Sequence, residues 1–170
     1  MSQLDRKDWQ RFRQGDNTGM TGIYSRHKNK LYTFCMYVTG NRQLSEDIVQ
    51  ETFVRLMGQS QQLDSNVRIK DWLFICARNL TYNQLKRHQR SSSLLEVVSP
   101  PTESNVETRI FIQDVLGKLT TDEKELILLR EQQRFTTEEI SNMLGISEEA
   151  VRVRLYRIRK KMQQIAKEEK

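Results

Sequence analysis

Six cations crowd into residues 152–161: Arg152, Arg154, Arg157, Arg159, Lys160 and Lys161, with Tyr156 among them. Guanidinium and ammonium groups donate to phosphate oxygens, and guanidinium also grips the acceptor edge of a base in two places. Val151, Leu155, Ile158, Met162 and Ile165 recur between the cations at helical spacing. The stretch is therefore one helix with an apolar stripe and a basic remainder. This is chemistry for holding a polyanion. Making or breaking bonds in a nucleic acid would need clustered carboxylates or histidines. Here the acids lie at helix starts or on scattered faces, which argues against a small nuclease.

The elements that position this helix are written just before it. Thr136 and Glu139 have the spacing of a reciprocal N-terminal cap, and Ile140, Met143 and Leu144 follow at helical intervals. Gly145 suits a left-handed helix end. Ser147 can cap the next helix, and Glu148 and Glu149 complement its positive end. Two short helices around a tight glycine turn make a helix-turn-helix, whose second helix can enter a major groove.

The chain has 170 residues and a net charge of +6. Residues 1–90 carry 15 Lys/Arg against 8 Asp/Glu, residues 91–146 carry 5 against 10, and residues 147–170 carry 8 against 4. Two basic blocks flanking an acidic one suggest two contacts with a polyanion. Neither basic block has the bulky aromatic face of an interfacial helix. No apolar run approaches membrane-spanning length and the polar start at Met1–Gly15 is no signal peptide, so a soluble cytoplasmic protein is expected. Cys35 and Cys76 read as small core hydrophobes rather than a disulfide. With only His27 and His88 as histidines and no clustered ligands, neither a metal nor a cofactor is implied.

Along the chain, Asp16–Val38 reads as a first long helix, with His27 on its packing stripe, ended by Gly40 and Asn41. Leu44–Met57 reads as a second, capped by Ser45, with Ile48, Val49, Phe53, Leu56 and Met57 inward and Asp47, Gln50, Glu51 and Arg55 outward. The stretch 58–67 is a polar loop. Lys70–Gln89 reads as a long helix anchored by Trp72, Leu73, Cys76, Ala77 and Leu80. Its other face mixes Arg78, Asn79, Tyr82, Asn83, Lys86, Arg87 and Arg90, a blend suited to single-stranded nucleic acid. Residues 91–108 hold both prolines and read as a linker. Arg109–Leu119 and Asp122–Gln133, the latter capped by Thr121, complete a small core under the helix-turn-helix, and the tail from Gln163 should fray. The expected fold is all-α: two small helical domains joined by a flexible linker, residues 1–90, 91–108 and 109–170, with the helix-turn-helix in the second.

Three blocks in order resemble a known family. SEDIVQETFVRL (Ser45–Leu56), DWLFICARNLTYNQLKR (Asp71–Arg87) and EEISNMLGISEEAVRVRLYRIRKKM (Glu138–Met162) are similar to the second and fourth regions of bacterial RNA polymerase sigma factors of the extracytoplasmic-function (ECF, group 4) type. The resemblance implies promoter recognition and transcription initiation, with no catalysis by the chain itself. It implies partners: core RNA polymerase, through the coiled coil of its largest subunit and its flap, promoter DNA, and an anti-sigma factor, with no membrane. By the same resemblance Asp47, Gln50, Glu51 and Phe53 meet the polymerase. Asn66, Arg78, Asn79, Asn83, Lys86 and Arg87 engage the opened minus-ten strand. Arg152, Val153, Arg154, Tyr156, Arg157, Arg159 and Lys160 meet the minus-thirty-five element. The chain departs from the family pattern at Glu149-Ala150, at Val153, at Ser141 and at Asn83. The rival reading is a stand-alone helix-turn-helix regulator, which would have no use for the acidic face at Ser45–Leu56.

Overall fold

The structure is a computed structural model, and it describes residues 3–90 and 114–168, without the side chains of 88–90. Among these residues every regular element is helical. The chain divides into two compact units, Met1–Val98 and Ser99–Lys170. The expected linker, 91–108, lies outside the described residues.

The first unit contains α1 (Gln3–Arg13), α2 (Thr18–Thr39), α3 (Arg42–Gly58) and α4 (Ile69–Arg90). The long helix expected from Asp16 is α2, and α1 precedes it where sequence pattern suggested only a polar start. α1 is polar on average, yet Trp9 is fully buried and Asp5 nearly so. Close approach makes this packing possible. A Cβ on Gly19 would collide with the Asp8 carbonyl, and one on Gly22 with the Asp8 carboxylate. Trp9, not Trp72, is the tryptophan that anchors the core, because Trp72 is only half-buried. Phe34 and Phe74 meet edge to face at 5.6 Å between α2 and α4, a geometry that aromatic rings favour.

The α2–α3 corner corrects a second expectation. Gly40 ends α2 in the left-handed region (φ 65°), and Asn41 is extended with its side chain accepting the Leu44 N–H. Asn41 is thus the cap of α3. Ser45, expected in that role, is a turn inside the helix and fully buried, with its hydroxyl 2.7 Å from the Asn41 carbonyl and 2.9 Å from Thr39 Oγ1.

The second unit contains a helical turn at 114–117, α5 (Thr121–Ile127), a π-helical turn (Leu128–Gln132), α6 (Thr137–Leu144) and α7 (Glu148–Glu168). Thr120, not Thr121, caps α5: its hydroxyl accepts the Glu123 N–H while the Glu123 carboxylate accepts the Thr120 N–H at 2.8 Å. The helix expected through Gln133 changes to π geometry after Ile127, and the chain turns at Arg134 (φ 58°). The tail does not fray at Gln163. α7 runs on to Glu168 because Ile165 remains buried on its apolar stripe.

Candidate nucleic-acid and protein interfaces

The helix-turn-helix is held by local bonds. Thr136 and Glu139 form the reciprocal cap at 3.1 and 2.7 Å. Gly145 closes α6 at φ 65°, a conformation costly for any side chain with a Cβ, and its N–H bonds the Ser141 carbonyl. Ser141 Oγ donates to the Ile146 carbonyl at 2.5 Å, so this residue staples the turn as well as packing. Ser147 Oγ accepts the Ala150 N–H at 3.1 Å and starts α7.

Val151, Leu155, Ile158 and Ile165 of α7 are buried, and this stripe fixes what the other faces present. At about 100° per residue, Val153, Tyr156, Arg157 and Lys160 lie on the ridge opposite the stripe. Tyr156 is 64% exposed and Val153 42%, and Lys160 Nζ sits 6.0 Å from the Tyr156 ring centroid. Arg152 and Arg159 occupy one flank, and Arg154 the other. All seven expected residues are exposed, but the helix does not bring Arg154 together with Arg152 and Arg159. Three of the cations beside the ridge have partners within the unit. Arg159 bonds Glu131 at 2.6 Å, Arg152 approaches Glu148 at 3.4 Å, and Lys161 bonds Glu123 at 2.7 Å. Burial pushes the Glu123 carboxyl up, but bonds from Lys161 and the Thr120 N–H outweigh it and hold the group below its usual range.

On α3, Asp47, Gln50 and Glu51 share one exposed face. They are not electrostatically alike. Glu51 accepts from Arg55 Nε at 2.7 Å, whereas Asp47, among the described residues, accepts from the neutral Gln43 amide at 3.0 Å. Phe53 departs from the expected set. It is 4% exposed, its ring 4.8 Å from that of Tyr24. It can support the face from beneath but does not stand on it.

Of the residues expected to meet an opened strand, Asn79, Asn83 and Lys86 gather on one side of α4, all exposed. Arg78 is half-buried, with its guanidinium 4.8 Å above the Tyr82 ring, and the exposed Arg87 stands one turn after Asn83, at the edge of that side. Asn66 stands exposed in the loop between α3 and α4, its backbone N–H bonded to Asp64 Oδ1 at 2.7 Å.

The sequence pattern did not reveal that α1 reaches this loop. Trp9 Nε1 donates to the Asp64 carbonyl at 3.3 Å, and Gln61 Nε2 to the Arg13 carbonyl at 3.4 Å. The available signal was Trp9 and Phe12, three apart in a charged stretch. Among the described residues no group of three His, Cys, Asp or Glu side chains is arranged so that it could hold a metal ion. Both cysteines are unpaired, and burial raises the Cys35 thiol to about 12. No helix among the described residues is long and apolar enough to cross a membrane.

Two family models match the chain: Sigma-70 region 2 over residues 23–91 and Sigma-70 region 4 over residues 112–162. The chain is 28% identical over 164 residues to RNA polymerase sigma factor CarQ of Myxococcus xanthus, covering 92% of this chain and 94% of that protein. It is 26% identical over 148 residues to ECF RNA polymerase sigma factor SigM of Bacillus subtilis, covering 82% and 90%. Its fold is similar to that of the sigma factor RpoE of Bartonella quintana, solved in complex with the anti-sigma factor NepR. That similarity has a TM-score of 0.73 at 22% identity and covers 85% of this chain and 94% of that one. The chain belongs to the sigma-70 family, as a sigma factor of the ECF type.

Proposed function

We propose that this chain binds core RNA polymerase in the cytoplasm and directs it to promoters, with nucleotide polymerisation left to the polymerase. The residues 1–90 act as the docking and strand-opening domain, 91–108 as a linker, and 109–170 as the upstream-element domain. The observation that carries this reading is the exposed acidic face of α3 in the same chain as the helix-turn-helix. A regulator that binds an operator alone has no need of Asp47, Gln50 and Glu51 together on a surface.

Asp47 is the leading polymerase contact, with Gln50 and Glu51 beside it on the coiled coil. Phe53 backs that face through its packing on Tyr24. Asn79, Asn83 and Lys86 meet the opened minus-ten strand, with Asn66 reaching from the loop and Arg78 and Arg87 following the backbone. Val153, Tyr156, Arg157 and Lys160 enter the major groove at the minus-thirty-five element. Arg152, Arg154 and Arg159 clamp phosphates on either side. Val153 has no donor for a base edge but can contact a thymine methyl. An anti-sigma factor, as in the complex of the Bartonella relative, would hold the chain inactive by covering such faces.

Run-off transcription with purified core polymerase on a genomic promoter library tests the whole reading. Defined start sites preceded by two shared elements are expected. A chain that neither co-purifies with core polymerase nor directs it to any start site refutes the proposal, even if it binds DNA.

A further inference from the structure

We propose that α1 is a brace for the loop between α3 and α4, and that Trp9 is a positioning residue for base selection in the opened strand. The inference rests on the reading of that loop given above. α1 lies outside the residues matched by either family model, so the role is not part of that match.

Two bonds link the helix to the loop, and they sit at different points of it. The Trp9 indole N–H reaches the Asp64 carbonyl at 3.3 Å, and the Gln61 amide reaches back to the Arg13 carbonyl at 3.4 Å. The Asp64 carbonyl also accepts the Val67 N–H at 3.1 Å, while the Asp64 carboxylate accepts the Asn66 N–H at 2.7 Å. Asp64 is therefore the hinge of the turn that presents Asn66, and Trp9 holds that hinge from beneath. An indole N–H is a donor only, and when buried it requires an acceptor. Trp9 is fully buried, so its ring cannot turn away without leaving that donor unpaired.

The brace is itself fixed. Asp5 accepts from Arg26 Nε at 2.9 Å and meets His27 Nε2 at 3.0 Å, and Asp8 accepts a second guanidinium nitrogen of Arg26 at 2.7 Å. With Gly19 and Gly22 admitting the backbone and carboxylate of Asp8, α1 has no room to slide along α2. A fixed helix bonded to an otherwise exposed polar loop reduces the conformations the loop samples, and pre-organisation of this kind sharpens discrimination between bases.

The test uses Trp9→Phe, which keeps an aromatic ring in the core and deletes the donor, and Gln61→Ala, which removes the second bond at the surface. Hydrogen exchange of the full chain is measured at residues 64–67. Holoenzyme assembled with core polymerase is then assayed on opened-strand oligonucleotides carrying each of the four bases in turn. Loss of one bond of this kind should speed exchange in the loop about five-fold in Trp9→Phe. Exchange in α2 and α4 should be unchanged. The ratio of best to worst base should fall by a similar factor, with affinity for a scrambled strand unaltered. Gln61→Ala should act in the same direction but more weakly. Unchanged loop exchange in both variants overturns the brace. A loosened loop with an unaltered base ratio overturns the positioning role and leaves Trp9 as a core residue. If wild-type holoenzyme itself discriminates no base in the opened strand, the strand reading fails and the positioning role with it. That failure is told apart because it shows before any substitution is made.

Discussion

Asp5 Oδ2 lies 3.0 Å from His27 Nε2, and both side chains are shielded from water. The same carboxylate accepts from Arg26 Nε at 2.9 Å. Burial alone would push the Asp5 carboxyl up, but the bonds and charges of His27 and Arg26 outweigh it and hold the group below its usual value of 3.8. A carboxyl depressed by folding contributes stability above its unfolded value and loses it as pH falls through the depressed one. Asp5→Asn should therefore destabilise the first unit by about 2 kcal/mol at neutral pH, the scale of hydrogen bonds to a charged group. The gap between variant and wild type should narrow below a pH of about 4. Urea unfolding followed by tryptophan emission reads this unit directly, since both tryptophans of the chain, Trp9 and Trp72, lie in it. A gap that stays constant into acid contradicts the account.

At the turn of the helix-turn-helix, Ser141→Ala removes the bond to the Ile146 carbonyl. The loss of about 1 kcal/mol is partly offset by the better helix propensity of alanine, worth about 0.5 kcal/mol. Gly145→Ala forces a Cβ into the left-handed region at φ 65°, which costs about 1–2 kcal/mol. Thermal unfolding should rank Gly145→Ala as the more damaging of the two. The reverse order would mean that the hydroxyl, not the glycine, holds the corner.

The helix-turn-helix was legible in the sequence because its determinants are close neighbours. Thr136 with Glu139, and Gly145 with Ser147, act within one turn of the chain. The first unit was legible only in part. Trp9 meets Asp64 at a separation of 55 residues and Asp5 meets His27 at 22, so a polar α1 shows no local sign of its partners. Neighbouring cap formers also hide the choice between them. Asn41 and Ser45 both suit a helix start, and the left-handed Gly40 followed by an extended Asn41 decides for the earlier one. Thr120 and Thr121 are adjacent, and Glu123 stands three residues after the first. At the candidate protein face the helical spacing already turned Phe53 inward, against the surface role that the resemblance implied, but it says nothing of Tyr24, whose ring meets it from another helix.

The α3 face should respond unequally to truncation. Asp47 presents a carboxylate whose recorded partner is a neutral amide, whereas Glu51 is already paired with Arg55. Attraction to a basic partner surface depends on charge that remains unneutralised. Asp47→Ala should weaken binding to core polymerase by roughly ten-fold and Glu51→Ala by roughly three-fold, on the scale of about 1.4 kcal/mol per decade. Titration of labelled chain into core polymerase at two salt concentrations measures both. Equal losses would show that the internal Arg55 pair does not screen Glu51.

On α7 the same logic separates two arginines. Arg157 lies on the outward ridge, and Arg159 on a flank is held by Glu131 at 2.6 Å. To meet a phosphate, Arg159 must leave a carboxylate, so its net gain on binding is smaller. Arg157→Ala should reduce transcription from a dependent promoter by roughly ten- to a hundred-fold, as for loss of a base contact worth 1–3 kcal/mol, and Arg159→Ala should reduce it less. Glu131→Gln should strengthen binding to duplexes of any sequence and steepen the dependence on salt by about one unit of slope, as one more phosphate contact requires. Run-off assays with the purified holoenzyme and salt titrations of duplex binding test the pair. If Glu131→Gln leaves the slope unchanged, Arg159 already serves DNA with its carboxylate in place, and the flank is a fixed contact rather than a competed one.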